Sequence, residues 1–357
     1  MNKIVAVAVC GLQFAVCAQT VQPSYLMVYH KDCDHSLHMA VSDDSYNWRA
    51  VREGDKPVMD GREIAEQKGI RDPHIFRAPD GTYLVAATDL HIFAKREGLR
   101  ETDWERDGRK YGWGNNRGLV LLKSKDLINW ERYNLDFTKL DGLTFARQED
   151  GSDFLWSEVG CVWAPEMVWD EEANRVFMHF TVRFGNTPTR IYAAHLNEEM
   201  TGLGELPRPL LVPPTGWNYQ PNYGILDSDI VKDDNGEYHM FYVSHQWVAT
   251  IKHAVSKHLT GPYKSDEWFA DGIKHGHEAP NVWRRPDGTW VLMWDRYTMK
   301  PHNFGFHESK DLRGFNMIGY FDGGSMKRTG FAEQKHGGVV AVPREDVERL
   351  EAYWKGK

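Results

Sequence analysis

The sequence predicts an all-β protein: a five-bladed β-propeller with four-stranded antiparallel blades. One strand–turn–strand pattern recurs four times along the chain, and a Ser-Lys-Asp-Leu type of turn recurs beside it. The strands left unpaired at the two ends of the chain complement each other. Repeats that cannot bury their apolar faces alone are typical of closed rings of blades.

Each copy of the repeat is a hairpin with a short apolar strand, a polar turn and an aromatic-rich return strand. The copies span 72–85, 164–178, 227–242 and 279–293. Asp-Gly or Asn-Gly turns, as in Asp234-Asn235-Gly236, are the chemistry that tight hairpins require. A β-sandwich of meandering hairpins is the alternative, but it leaves the chain ends unexplained.

A second marker predicts the outer edges of the blades. It occurs at 124–127, 256–259 and 309–312, with a weaker copy at 196–199. One further copy, at 42–48, precedes every hairpin, while a lone strand at 337–342 ends the pattern. We therefore predict that the strands near 25–30 and 37–41 join the C-terminal strand in a fifth blade, which closes the ring and removes exposed sheet edges.

The N-terminus resembles an export signal. Lys3 precedes an apolar run over 4–18 that ends in Val16-Cys17-Ala18, which are small residues of the kind that a signal peptidase recognises. We expect residues 1–18 to be a signal peptide, residues 19–357 to form one catalytic domain, and the protein to be periplasmic or secreted. Anchoring through a lipid on Cys17 is the alternative.

Composition excludes several other classes of protein. The net charge of −8 and the lack of a long basic run argue against nucleic acid as a partner. No internal run of apolar residues approaches the length that a membrane span needs. The mature chain has two cysteines, Cys33 and Cys161, which could pair in an oxidising compartment or simply be buried.

Three carboxylates are predicted to meet at one mouth of the central channel. The first strand of each propeller blade lines the channel, so equivalent positions in different blades converge. Asp72 and Asp227 begin two of these strands, and Glu278 lies one residue before the equivalent Ala279. Inverting glycoside hydrolysis needs a carboxylate base and a protonated acid, and a third carboxylate can raise the pKa of the acid.

Five segments look like the successive blade signatures of glycoside hydrolase family 43, and the resemblance spans about residues 24–345. The segments are Ile70-Arg71-Asp72-Pro73, Trp163-Ala164-Pro165-Glu166, Leu226-Asp227-Ser228-Asp229-Ile230, His277-Glu278-Ala279-Pro280 and His336-Gly337. The resemblance implies that Asp72 is the catalytic base, Glu278 the general acid and Asp227 the carboxylate that tunes the pKa of the acid and orients the substrate. It also implies that His336 holds water or a metal in the channel; a hydrogen-bonded core histidine is the alternative.

One departure from the family pattern concerns the third blade. The family usually has Asp-Pro there, whereas this chain has Asp-Ser-Asp, so Asp229 could compete with Asp227 for the tuning role. Alternation along a strand puts Asp229 on the same face, one step deeper. Glu166, one step past Pro165, is expected to support a neighbouring strand or loop.

Several residues are candidates for the wall of a sugar pocket. Those predicted to contact substrate are Arg71, Trp163, Tyr223, Trp247 and Arg296, with Trp217 and Tyr219 as further candidates. The segments 90–116 and 207–222 are expected to cap one mouth, which favours a pocket over an open groove.

The resemblance implies an inverting exo-glycosidase acting on an oligosaccharide or polysaccharide, with α-L-arabinofuranose as the leading sugar. β-Xylosidase or galactofuranosidase specificity and a non-catalytic carbohydrate-binding propeller are the alternatives. No cofactor is required, although the resemblance allows a structural calcium near His336.

Overall fold

The computed structural model describes residues 22–137, 143–148, 150–211, 224–246, 248–265 and 276–357. Five antiparallel sheets of four principal strands each form the blades of a β-propeller, which confirms the predicted fold class. We number the blades from the first one that is complete along the chain, so blade 5 contains both ends.

The strands follow the chain in blade order. Blade 5 begins with β1 (Ser24–His30), β2 (His38–Ser42) and β3 (Asn47–Ala50). Helix α1 (Gly61–Ile64) leads to blade 1, which comprises β4 (Ile70–Arg77), β5 (Tyr83–Asp89), β6 (Gly118–Ser124) and β7 (Glu131–Asp136), with α2 (Gly108–Tyr111) between β5 and β6. A separate hairpin, β8 (Thr144–Arg147) and β9 (Asp153–Leu155), precedes blade 2, which comprises β10 (Val159–Asp170), β11 (Arg175–Phe184), β12 (Arg190–His195) and β13 (Arg208–Leu211).

The remaining strands complete the ring. Blade 3 comprises β14 (Ile225–Lys232), β15 (Tyr238–Ser244), β16 (Thr250–Ser256) and β17 (Lys264–Ser265). Blade 4 comprises β18 (His277–Arg284), β19 (Trp290–Arg296), β20 (Phe304–Ser309) and β21 (Asn316–Tyr320). The chain ends with β22 (Lys327–Thr329), β23 (Lys335–Val342) and α3 (Arg344–Trp354).

Closure of the ring is as the sequence predicted. Strand β23 is the inner strand of blade 5 and pairs antiparallel with β1, from Ser24 opposite Val342 to His30 opposite Lys335. Two features were not predicted. Strand β22 adds a parallel edge to β3, and helix α3 follows the closing strand, burying Val347 and Leu350 in the apolar cluster between blades 5 and 1.

Apolar side chains fill the five interfaces between neighbouring blades. Each of the five large apolar clusters formed by the described residues combines strands from two adjacent blades. Strand β5 shows how one strand serves two interfaces: Tyr83 and Val85 pack toward blade 5, whereas Leu84 and Ala86 pack toward blade 2. Successive residues of a strand point to opposite faces, so both faces of a propeller blade must be apolar.

The Ser-Lys-Asp-Leu segments form the turn between the third and fourth strands of a blade. The Asp126 carboxylate accepts hydrogen bonds from the backbone amides of Ile128 and Asn129, at 2.9 and 2.8 Å. Leu127 has a left-handed φ of 64°. The turns at Asp44 and Asp311 repeat these bonds to the following amides, because a short acidic side chain can stabilise such a turn locally.

All five inner strands contain a β-bulge at the same position, where the register with the second strand shifts. At each bulge lies a residue other than glycine with a left-handed φ. These are Asp72 (50°), Ala164 (44°), Asp227 (47°), Ala279 (56°) and His336 (35°). Such residues cost of order 1–3 kcal/mol each, and they persist only where the surrounding structure holds them.

Hydrogen bonds between blades hold four of these bulges. The bulge amide donates to a side chain on the second strand of the preceding blade, and the four pairs are Asp72 to His30 Nδ1 (3.2 Å), Ala164 to Thr88 Oγ1 (2.9 Å), Asp227 to Thr181 Oγ1 (3.0 Å) and His336 to Asp295 Oδ2 (3.0 Å). At the fifth bulge, Ala279, the equivalent residue on the preceding blade is Val243, which has no side-chain acceptor. These four hydrogen bonds, called latches below, each tie a bulge to the preceding blade.

The structure leaves the predicted export signal untested, because residues 1–21 lie outside the described part of the chain. Cys33 is exposed and Cys161 is buried, and both are free thiols. In the described ranges, no helix has the length and apolar character needed to cross a membrane.

Truncation tests the closure of the ring. A chain that ends at Gln334 lacks β23 and α3, so it exposes the edge of β1 and opens two apolar interfaces. We expect it to lose its cooperative thermal transition, measured by circular dichroism. A control truncation after Lys355 removes only two exposed residues and should melt like the full chain; equal melting of the two truncated chains would contradict the closure.

Candidate active site

A cavity of about 410 Å³ lies at the mouth of the channel where the inner strands begin. The residue before the bulge lines it in all five blades, namely Arg71, Trp163, Leu226, Glu278 and Lys335. In three blades the bulge residue lines it as well, namely Asp72, Asp227 and His336. Consecutive strand residues normally face opposite ways, and a bulge re-aims one of them. The structure thus brings the three predicted carboxylates to one cavity.

Asp72 and His336 form an ion pair. His336 Nδ1 lies 3.1 Å from Asp72 Oδ1. Burial alone would raise the pKa of Asp72, but the charge and hydrogen bond of His336, together with Arg71, lower it well below its ordinary value. Burial lowers the pKa of His336, yet Asp72, Asp227 and Asp295 outweigh it and raise that pKa to about 9. Asp72 is therefore ionised, and His336 is positively charged at neutral pH.

Thr88 orients the second oxygen of Asp72. Its hydroxyl donates a hydrogen bond to Asp72 Oδ2 at 2.8 Å and accepts one from the backbone amide of the bulge residue Ala164. The latch between blades 1 and 2 thereby also fixes the carboxylate that the sequence predicted as the base. An ionised, oriented carboxylate is suited to accept a proton from a water molecule.

The carboxyl group of Asp227 has a raised pKa. Burial raises its pKa to about 8; the positive His336 opposes this shift, whereas Glu278 and Asp72 add to it. Asp227 therefore holds a proton at neutral pH. A neutral carboxyl group can donate a hydrogen bond to a ligand, but it exerts little repulsion on a neighbouring acid.

Glu278 lies on the side of the cavity formed by blades 3 and 4. His245 Nε2 is 3.4 Å from Glu278 Oε1. Burial raises the pKa of Tyr297, and the charge of Glu278 adds to this rise. Glu278 is partly exposed to the cavity, where a carboxyl group can reach a bound molecule.

Asp229 and Glu166 lie two residues beyond their bulges, deeper in the channel, together with His74. Asp229 Oδ2 accepts hydrogen bonds from the backbone amide of Val282 and from Asn281 Nδ2. Burial and the neighbouring Asp229 raise the pKa of Glu166 well above its ordinary value, so Glu166 stays protonated against Asp229. Both residues therefore connect inner strands, as the sequence indicated for Glu166, and neither lines the cavity.

The ligand atoms of His74, Glu166 and Asp229 lie within 4.8 Å of one another, as in a metal site. However, the Met167 amide donates to His74 Nδ1 at 3.3 Å. A neutral ring then carries its proton on Nε2, so neither ring nitrogen is open to a metal. This cluster is better suited to sharing a proton between Glu166 and Asp229 than to binding a metal cation. The calcium suggested for His336 stays a prediction.

Trp163 lines the cavity with its aromatic ring. Its indole N–H donates to Gly114 O at 2.9 Å, and its ring meets Trp113 edge to face at 5.9 Å. Gly114 has a φ of 64°, and a Cβ there would lie 2.9 Å from the Trp163 ring. Only glycine lets the insertion approach Trp163 so closely.

The other predicted wall residues have different outcomes. Arg71 lines the cavity and donates to Asp32 Oδ1 at 2.8 Å. Arg296 lies outside the cavity lining and donates to Thr298 Oγ1. The remaining candidates lie outside the described residues: Tyr223, Trp247, Trp217 and Tyr219.

Sequence reasoning missed a second set of cavity residues. They are Asp32, Leu90, Ile92, Trp113, His245, Tyr297, Lys300, His302 and, on an inner strand, Lys335. All except Lys335 come from loops that follow the second strand of a blade. The second strand of each blade runs back toward the mouth of the channel. The loop that follows it could therefore have been predicted to border the cavity. The predicted insertion at 90–116 does border the cavity.

The protonated Asp227 generates a prediction about stability. Between about pH 4 and 8 the unfolded chain releases this proton and the folded chain keeps it, so stability is lost as pH rises. Asp227→Asn cannot titrate. We expect its free energy of unfolding, relative to the parent, to improve by about 3 kcal/mol between pH 5 and 7.5, measured by urea denaturation.

Asp80→Asn is the control for this measurement. Lys125 and Thr82 lower the pKa of Asp80, so this carboxylate is ionised in the folded and the unfolded chain between pH 5 and 7.5. The difference in free energy of unfolding between Asp80→Asn and the parent should therefore stay constant over this range. A constant difference for Asp227→Asn as well would show that Asp227 is not a neutral acid.

Comparison with known proteins agrees with the fold. The family model described as a probable glycosyl hydrolase domain, related to family 43, matches residues 22–348. An α-L-arabinofuranosidase of Bifidobacterium longum is 27% identical over 132 residues, which cover 35% of this chain and 10% of that protein. The match thus spans about a tenth of the length of that relative.

Two solved structures share the fold at low sequence identity. An endo-1,4-β-xylanase from Bacteroides thetaiotaomicron has a TM-score of 0.55 at 12% identity, covering 86% of this chain and 93% of that one. The family 43 protein BlXynB from Bacillus licheniformis has a TM-score of 0.51 at 14% identity, covering 88% and 60%. At such identities the likeness shows the fold alone. The family model, which spans nearly the whole described chain, shows that this protein belongs to the glycosyl hydrolase 43-related family.

Proposed function

We propose that this protein is an inverting exo-glycosidase that releases a terminal sugar, with α-L-arabinofuranose as the leading candidate. The observation that carries the proposal is the meeting of Asp72, Asp227 and Glu278 in one cavity, with Asp72 ionised beside His336. The arabinofuranosidase relative supports the choice of sugar, and the family resemblance supports inversion.

Asp72 is the base in this mechanism. Its carboxylate removes a proton from the attacking water, while Thr88 and His336 hold its two oxygens. Before the reaction, His336 keeps the Asp72 carboxylate ionised. Once Asp72 has taken up the proton of the water, its ion pair with His336 would be lost. Such general base catalysis is worth about 10²–10⁴-fold in rate.

Glu278 is the acid, and Asp227 positions the substrate. Glu278 would hand its proton to the leaving oxygen on the opposite side of the sugar from the water. Asp227 lies on the inner strand between those of Trp163 and Glu278, and its neutral carboxyl would donate a hydrogen bond to a sugar hydroxyl. Trp163 offers a face on which the sugar ring can stack.

The pocket favours removal of a terminal residue. Leu90, Ile92 and Trp113 of the insertion wall one side of the cavity. Its volume of about 410 Å³ falls in the lower part of the range for small-molecule sites. A bounded cavity at a channel mouth holds the end of a chain more readily than its middle.

A screen of aryl glycosides tests the proposal directly. Nitrophenyl α-L-arabinofuranoside should be hydrolysed faster than the β-D-xylopyranoside and the β-D-galactofuranoside. Proton NMR of the first product should show the inverted anomer. Hydrolysis of none of them, or release of the retained anomer, would count against the proposal.

The base is tested by Asp72→Asn, which keeps the shape and removes the charge. We expect kcat to fall about 10²–10⁴-fold on every substrate, because no leaving group can replace activation of the water. Asp229→Asn, one step deeper, is the matched control and should keep most activity if it folds. An active Asp72→Asn enzyme would exclude Asp72 as the base.

The acid is tested by Glu278→Ala. A dinitrophenyl leaving group hardly needs a proton, so we expect at most about a tenfold loss on that substrate and about 10²–10⁴-fold on a natural oligosaccharide. Rates on the two substrates are compared at saturation. Equal losses on both would mean that Glu278 does not protonate the leaving group.

A further inference from the structure

Lys335 occupies the same ring position as Glu278, one blade further on. It precedes the bulge in β23, and its side chain lines the cavity between Glu278 and Arg71. Lys335 is only 7% exposed. In the part of the chain that the structure describes, no residue accepts a hydrogen bond from its ammonium or forms a salt bridge with it. Burying an ammonium without such partners is costly.

The carboxylates around Lys335 already have other partners. Asp72 is paired with His336 and Thr88, and Asp32 accepts from Arg71 at 2.8 Å and lies 3.3 Å from His302. Asp295 and Asp32 both interact electrostatically with Lys335. Asp295 Oδ2 accepts a hydrogen bond from the His336 amide, whereas its buried Oδ1 has no hydrogen-bond partner among the described residues. The hydrogen-bond donors of Lys335 are therefore available to a molecule in the cavity.

The charges of the cavity are unevenly distributed. One side carries the cations Arg71, Lys335 and, at the exposed rim, Lys300, among the carboxylates of Asp32, Asp72 and Glu278. The opposite side is uncharged and apolar, with Trp113, Trp163 and Leu226. A neutral sugar would use a stacking face and hydroxyl partners, but it offers the Lys335 ammonium no anion at hydrogen-bond distance, and Asp295 and Asp32 act on it only electrostatically. An acidic sugar would use both sides.

We propose that the glycan bound here is acidic, and that a carboxylate or sulfate group beside its terminal neutral sugar binds Lys335, with Arg71 and Lys300 next to it. The proposal rests on the glycosidase function for its setting and names the substrate class of that site. Lys335 then determines specificity and takes no part in bond cleavage.

Binding of simple sugars tests the proposal without turnover. Ligand-observed NMR titrations of the full chain would compare galacturonate and galactose 6-sulfate with galactose, and glucuronate with glucose. We expect at least one acidic sugar to bind about tenfold or more tightly than its neutral counterpart. The uronate and sulfate arms identify which anion is preferred. Equal or weaker binding of both acidic classes would overturn the proposal.

Variants at Lys335 assign the preference to this residue. Lys335→Met should remove the preference for the acidic sugar and leave neutral binding within about twofold, whereas Lys335→Arg should keep the preference. Lys257→Met is the control, because Lys257 pairs with Glu237 on the outer surface of blade 3. An equal loss of acidic and neutral binding in Lys335→Met would show that Lys335 only compensates Asp295.

Salt dependence keeps the test decisive if Lys335→Met does not fold. Raising NaCl from about 20 to 500 mM should weaken acidic binding to the parent protein and leave neutral binding unchanged; no salt effect would overturn the proposal. Failure of the glycosidase function would appear separately, as no hydrolysis of the neutral aryl glycosides or of an aryl uronide, with binding of the acidic sugar intact.

Discussion

The left-handed bulge at the start of each inner strand is the constraint on which the site depends. It occurs five times, at residues as different as Asp72, Ala164 and His336, so the ring rather than the local sequence imposes it. By re-aiming one residue, the bulge lets neighbours such as Arg71 and Asp72 face the same cavity. The latches between blades offset its conformational cost, so the geometry of the site and the closure of the ring stabilise each other.

The same ring position carries different chemistry in each blade because its surroundings differ. Asp72 meets a charged histidine from blade 5 and stays ionised, whereas Asp227 forms no ion pair with any described residue and is neutral. Two aspartates at equivalent bulges thus become a base and a hydrogen-bond donor. Environment separates the roles of chemically identical side chains.

The fold divides its work between inner strands and exit loops. The inner strands carry the candidate catalytic residues. Apolar clusters between neighbouring blades fix the positions of these strands. The loops after the second strands add residues such as Trp113 and Lys300 around the mouth. We expect the strands to govern the reaction and the loops, with Lys335, to govern which glycan enters. Sites on rigid elements hold catalytic geometry more accurately than loops do.

The sequence by itself determined the five blades, their closure and the convergence of Asp72, Asp227 and Glu278, because turn chemistry and repeat register are local and periodic. It did not determine that Asp227 is neutral or that His336 pairs with Asp72, because burial and distance set a pKa and neither is periodic. It also missed Asp32 and Lys335, whose neighbours in space are remote in sequence. The tertiary structure decided these charges, since only the closed ring brings blades 1, 3, 4 and 5 around one cavity.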